Sequence, residues 1–352
     1  MPRALKIASV AAASLAALAL SSCGTTTVPS ADADPKGSAI SESCAADTTE
    51  TSTGPVSVTD SLGRTVKLEK PAERVVVLEW QQTEDLLSLC VTPVGAASID
   101  GYATYVSAET LPEGVANVGE RGEPDLDALF ATNPDLIVME ANSADNELLK
   151  KLEAQEVPVL ATVGADGNGQ IDNMKHVFTQ IAEATGREAR AQEVLAEFDA
   201  HLAEAQAQVA DVELTTTDFV FFDGWMESGN VVVRPYGEGA LFTELGEELG
   251  LTGAWSDEVN KAHGSGGVDP AYGLAQTDIE GLIAVGEANL IYANDGTADN
   301  YVTNLEKSPI WTALPAVKEG RAFEFPSGVW GAGGPRSGEQ AIDAFVAVIT
   351  GK

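Results

Sequence analysis

The scarce cations are the residues with the most chemistry to offer. The chain holds 20 Lys and Arg against 54 Asp and Glu, a formal charge of −34, so any anion it binds must be drawn by individual arginines placed where they are needed. Two lie in suggestive places. Arg121 sits in the glycine-bearing stretch Val118-Gly119-Glu120-Arg121-Gly122-Glu123-Pro124-Asp125, at a predicted strand end and just before a helix starting at Leu126; Arg234 sits in Val233-Arg234-Pro235-Tyr236-Gly237, again before a helix. A guanidinium stays charged and donates a planar fork of N–H groups to oxygen acceptors. Aromatic side chains occupy comparable positions: Trp80 at the end of an early strand, Trp225 after a later one, Trp330 in the loop before the last helix, and Tyr236 beside Arg234. Together these could wall a site with ring faces and cations. The plainer reading pairs the arginines with surface carboxylates and puts the tryptophans in the core.

Other chemistries lack their residues. There is no Gly-x-Ser-x-Gly, Ser-x-x-Lys, His-Glu-x-x-His or Gly-x-x-x-x-Gly-Lys motif, which leaves no framework for an enzyme. His176, His201 and His263 are scattered, so neither a bound metal nor a cofactor of the protein's own is expected. The acidic balance argues against nucleic acid and anionic lipid surfaces as partners.

The N-terminus has the three parts of an export signal over residues 1–22: Arg3 and Lys6, an apolar run from Ile7 to Leu20, and Ser21-Ser22. The run is too short for a permanent span. Leu20-Ser21-Ser22-Cys23 resembles the bacterial lipobox, which implies cleavage before Cys23, acylation of that cysteine, and residence on the outer face of the membrane through the lipid alone. Residues 23–54, rich in Thr, Ser, Ala and acids, read as a disordered tether. Cys44 and Cys90 then remain as an even pair in an oxidising compartment, open either to a disulfide or to separate roles, and too few for a thiolate zinc site.

From Val56 onward short apolar runs alternate with helical ones, the pattern of α/β architecture. A hairpin is expected around Ser61-Leu62-Gly63, then strands at 74–78, 135–138 and 157–160 with helices between them. Residues 187–210 predict one helix, roughly 35 Å long. After it the pattern restarts with strands at 218–222, 288–292 and 321–325 and helices at 239–249, 279–285 and 338–350. This gives two α/β, Rossmann-like lobes, 55–186 and 211–352, joined by a single long rigid connector helix, with a ligand cleft between the lobes.

Val118-Gly119-Glu120-Arg121-Gly122-Glu123-Pro124-Asp125-Leu126-Asp127 followed by Pro134-Asp135-Leu136-Ile137-Val138, with Thr59-Asp60-Ser61-Leu62-Gly63-Arg64, Thr92-Pro93-Val94-Gly95 and Gly333-Gly334-Pro335-Arg336-Ser337, resembles the type III solute-binding proteins of iron-siderophore and cobalamin importers. The likeness runs from about Val56 to Ile349. It implies a monomer that captures a ferric siderophore and delivers it to an ABC importer permease, or alternatively binds haem or cobalamin. It also implies one acidic permease-docking residue per lobe: Asp127, where the family usually has Glu, and Glu280. Because the iron of a siderophore arrives already chelated, the site needs aromatic and cationic groups in place of metal ligands. The chelator class, whether citrate, hydroxamate or catecholate, stays open.

Overall fold

The computed structural model describes residues 42–269, 271–297 and 300–351. The signal and Cys23 lie outside the described residues. A hairpin of β1 (Val56–Thr59) and β2 (Thr65–Leu68) is followed by β3 (Val75–Val77), α1 (Trp80–Ser88), β4 (Gly95–Ala96), α2 (Ile99–Tyr105), β5 (Ala116–Asn117), α3 (Leu126–Ala131), β6 (Leu136–Glu140), α4 (Glu147–Glu153), β7 (Val159–Thr162) and α5 (Gln170–Thr185). Strands β3 to β7 form one parallel sheet in the order β5-β4-β3-β6-β7. Its central strands are short β-branched or Leu/Ile/Val runs buried on both faces, as helix-covered parallel strands must be.

Next comes α6 (Glu188–Val209), then β8 (Asp218–Glu227), β9 (Asn230–Pro235), α7 (Leu241–Glu248), β10 (Thr252–Gly253), α8 (Asp257–His263), β11 (Thr277–Asp278), β12 (Asn289–Ala293), α9 (Val302–Lys307), α10 (Pro309–Ala313), α11 (Pro315–Lys318), β13 (Ala322–Phe325) and α12 (Pro335–Thr350). The second sheet runs β11-β9-β8-β12-β13, with β10 beside β8. It is mixed: β8 pairs parallel with β12 and antiparallel with β9. The helix expected over 279–285 is a 3₁₀ helix, Glu280–Val285.

The antiparallel ribbon corrects the expectation that Trp225 comes after its strand and that Arg234 belongs to the approach to a helix, since both lie within strands. Ser228 and Gly229 both adopt positive φ, 50° and 85°, the two-residue hairpin turn whose twist suits flanking strands. The chain therefore continues as strand through Trp225, turns, and returns through the β-branched Val231-Val232-Val233 to Arg234.

Helix α6 has 22 residues, about 33 Å of helix. Ala191 and Val194 near its start pack with the core of the first sheet, while Phe198, Ala205 and Val209 pack with that of the second. Helix α5 does the same, with Ile171 and Met174 on the second core and Val177, Phe178 and Ile181 on the first. The link between the lobes is thus a layer of helices in which α6 is the longest member.

The stretch read as tether does not stay free up to residue 54. Cys44 is disulfide-bonded to Cys90. Arg187, buried at the start of α6, pairs with Asp47 and donates to Thr49 and Thr51, while Arg190 donates to the Ser43 carbonyl. The segment has little apolar surface, so these charge-assisted bonds and the crosslink hold it to the first lobe.

Candidate functional site

A cavity of about 960 Å³ opens between the lobes. It lies beyond the carboxyl ends of β3, β6 and β7 on one side and faces β9 and the loop before α12 on the other, where parallel sheets of this kind present ligands. Both predicted arginines line it, as do Tyr236 and Trp330.

On the first-lobe wall, the Arg121 guanidinium lies 3.8 Å from the Trp80 ring centroid and 5.7 Å from that of Trp330. The Trp80 ring packs edge-on to Trp330 at 4.8 Å and stacks on Tyr105 at 5.5 Å. Trp80 differs from expectation: it opens α1 and is buried, its Nε1 donating to the Ser98 carbonyl. It is a floor beneath Arg121, and the indole that reaches the cavity is Trp330. Tyr102 is a core residue, with its hydroxyl donating to the Glu109 carbonyl. Trp255 and Trp311 are buried packing residues.

On the second-lobe wall, Arg234 and Asp223 are direct cross-strand partners in the β8–β9 ribbon. Arg234 donates through Nε to Asp223 Oδ1 at 2.8 Å and through Nη2 to Oδ2 at 2.5 Å, and the Tyr236 hydroxyl donates to the same carboxylate at 3.2 Å. Trp225 lies outside the cavity lining; its half-exposed ring is 5.8 Å from the Arg234 guanidinium. Residue alternation along β8 puts Trp225 two positions beyond Asp223, further out along the ribbon.

Carboxylates complete the site. Arg121 is ion-paired with Glu79, and the Tyr272 hydroxyl of the second lobe donates to Glu140 at the end of β6. Burial raises the Glu140 carboxyl above its ordinary range, with the Tyr272 bond opposing the shift. Glu79, Glu140, Asp223 and Tyr272 escape a reading of the sequence because each is recognised by a partner far along the chain or across a hairpin. Glu79 alone carried a local signal, since it follows a buried strand directly.

Deeper at the lobe seam, α12 has no side-chain cap of its own. Glu84 of α1 supplies one from the other lobe, accepting from the Ser337 amide at 2.8 Å and its hydroxyl at 2.6 Å. Burial pushes the Glu84 carboxyl up to about 7, against the pull of the Ser337 and Gly334 donors. Its neighbour Asp85 is fully buried with no hydrogen-bond partner among the described residues on either oxygen, and burial together with the Glu84 charge holds its carboxyl well above the usual range.

Asp127, in the first turn of α3, and Glu280, which opens the 3₁₀ helix, are both exposed, one on each lobe. No helix among the described residues is long and apolar enough to cross a membrane.

The chain is similar to known proteins in sequence and in fold. The iron(3+)-hydroxamate-binding protein of Escherichia coli (strain K12) is 26% identical over 286 residues, covering 79% of this chain and 88% of its own. A probable siderophore-binding lipoprotein of Bacillus subtilis (strain 168) is 26% identical over 291 residues, covering 81% and 85%. The crystal structure of the Fe3+–Desferal-bound siderophore-binding protein of Vibrio cholerae superposes with a TM-score of 0.64 at 26% identity, over 79% of this chain and 97% of that one. Residues 75–328, which carry both sheets and most of the cavity wall, match the periplasmic binding protein family; the chain belongs to that family.

Proposed function

We propose that this chain is an extracytoplasmic lipoprotein that captures a ferric siderophore and hands it, chemically unchanged, to the permease of an ABC importer. The observation that supports this best is the interlobe cavity, about 960 Å³, at the upper end of the size that encloses a compact organic ligand. Its walls offer what a pre-formed iron chelate needs: indole and phenol faces and guanidinium donors. Among the described residues no group of three or more His, Cys, Asp and Glu could hold a metal ion. The names of the relatives, which speak of hydroxamate and siderophore binding, point the same way.

In this reading Arg121, Arg234, Tyr236 and Trp330 contact the ligand, while Trp80 and Trp225 support the arginines from behind. Asp127 and Glu280 meet cationic groups on the permease, and acylated Cys23 holds the protein at the membrane as a monomer. Tryptophan fluorescence titration against iron-loaded and iron-free chelators tests capture: saturable quenching by a ferric chelate is expected. Silence towards every ferric chelate, with haemin instead giving a shifted absorption band, would replace this reading by haem binding. Exchanging Asp127 and Glu280 for Lys should abolish uptake into cells without moving the dissociation constant. Incorporation of labelled fatty acid, lost in Cys23→Ser, tests the anchor.

A further inference from the structure

We infer that the cleft sorts ferric chelates by charge, admitting electroneutral or cationic complexes in preference to anionic ones; this rests on the siderophore reading and deepens it. The two arginines look like anion receptors in sequence, but neither is free to act as one. Arg121 is paired with Glu79, and Arg234 is held by both oxygens of Asp223. At each guanidinium an anionic ligand meets a charge already neutralised by a carboxylate, and it takes the whole fork only by displacing that carboxylate, one charge-assisted bond for another. Each arginine can still donate a remaining N–H to a neutral oxygen acceptor, because its fork carries five.

The rest of the lining is acidic. Besides Glu79, the cavity is bordered by Glu140, Asp145, Glu147 and Asp269, and Arg121 and Arg234 are its only cations among the described residues. Lys150 neutralises Asp145 from outside at 2.9 Å, and Glu140 is engaged by the Tyr272 hydroxyl. That leaves Glu147 on the first-lobe rim and Asp269 on the second as carboxylates without a cationic partner among the described residues. Both are exposed, so their field is screened over ~8 Å at physiological salt, a length comparable with the cavity itself. The chemistry of the cargo spans the range needed to feel it: Fe3+ with three hydroxamates is neutral, a pendant ammonium makes the complex +1, and three catecholates leave it −3.

The decisive experiment varies charge alone. Ferric desferrioxamine B is titrated with its terminal amine free, acetylated or succinylated, so that one iron-binding core carries a positive, zero or negative charge, and a ferric tris-catecholate is added as a fourth ligand. The expected order is free amine at least as tight as acetyl, with succinyl weaker than the free amine by about tenfold or more at low salt; raising the salt should narrow the gap. Glu147→Gln combined with Asp269→Asn should compress the three affinities towards one another. A flat or reversed order, or tight tris-catecholate binding with none of the desferrioxamine forms bound, overturns the charge sorting and leaves siderophore capture standing. Failure of all four ferric complexes to bind removes the siderophore reading, and the inference falls with it.

Discussion

Arg121 does three jobs with one planar group: it lies on the Trp80 ring, neutralises Glu79 and lines the cavity. Arg121→Ala should weaken binding of the cognate chelate by more than about tenfold, because it removes guanidinium donors that would reach the chelate oxygens and leaves Glu79 without its partner. Glu79→Gln should do the opposite for anionic chelates, releasing the guanidinium, and titrating both variants with the desferrioxamine series reads the two effects apart. Gly334 is a second position where one atom decides. A Cβ there would fall 2.1 Å from Asp85 Oδ1, with a Glu84 oxygen also closer than a normal contact. Gly334→Ala should therefore cost about 1–3 kcal/mol through overpacking, measurable as a lowered urea midpoint with an unchanged slope.

At the scale of elements, the segment around Cys44 is held where composition predicts a free chain. The Cys44–Cys90 bridge closes a loop of 46 residues, for which the loop-entropy account gives about 4 kcal/mol as an upper figure. Replacing both cysteines by Ala should destabilise the protein by about 2–4 kcal/mol in denaturant titration, and limited proteolysis should then cut between residues 44 and 54. The hairpin of β8 and β9 works in a comparable way on the other lobe. By continuing as strand through residue 235 it fixes Asp223 opposite Arg234, so the guanidinium is aimed by sheet register.

For the whole molecule, the lobes meet across buried carboxylates, and this gives stability a definite pH dependence. Glu84, with an ordinary value of 4.5, sits near 7 in the folded state, and Asp85 is also raised. The folded protein therefore binds more protons than the unfolded chain between these values. That contribution is fully present below about pH 4.5 and is lost as pH rises through about 7. Asp85→Asn, which cannot ionise, should be more stable than the parent by about 2 kcal/mol at pH 8, and the difference should shrink towards pH 5; parallel thermal melts check this. Because α5 and α6 both belong to the two cores, ligand capture should produce only a small closing, visible as a nearly unchanged radius of gyration in solution scattering.

The sequence by itself determined what depends on neighbours along the chain. The restart of the α/β pattern after a long helix followed from apolar periodicity. The placing of Arg121 and Trp330 at the cavity followed from their position just beyond a strand or just before a helix, since the topology of parallel strands sends such loops to one edge, whereas Arg234 and Tyr236 reach it along an antiparallel ribbon. The tertiary structure alone decided which charges were already spent. Glu79 and Arg121 are 42 residues apart, and Glu84 and Ser337 are 253 apart; no local propensity encodes such pairings. It also decided that Trp80 would be floor and Trp330 wall, and that the residues from Ser43 onward would be fastened. In each case the outcome rests on burial and ion pairing between distant segments, energies that exist only once the chain has folded.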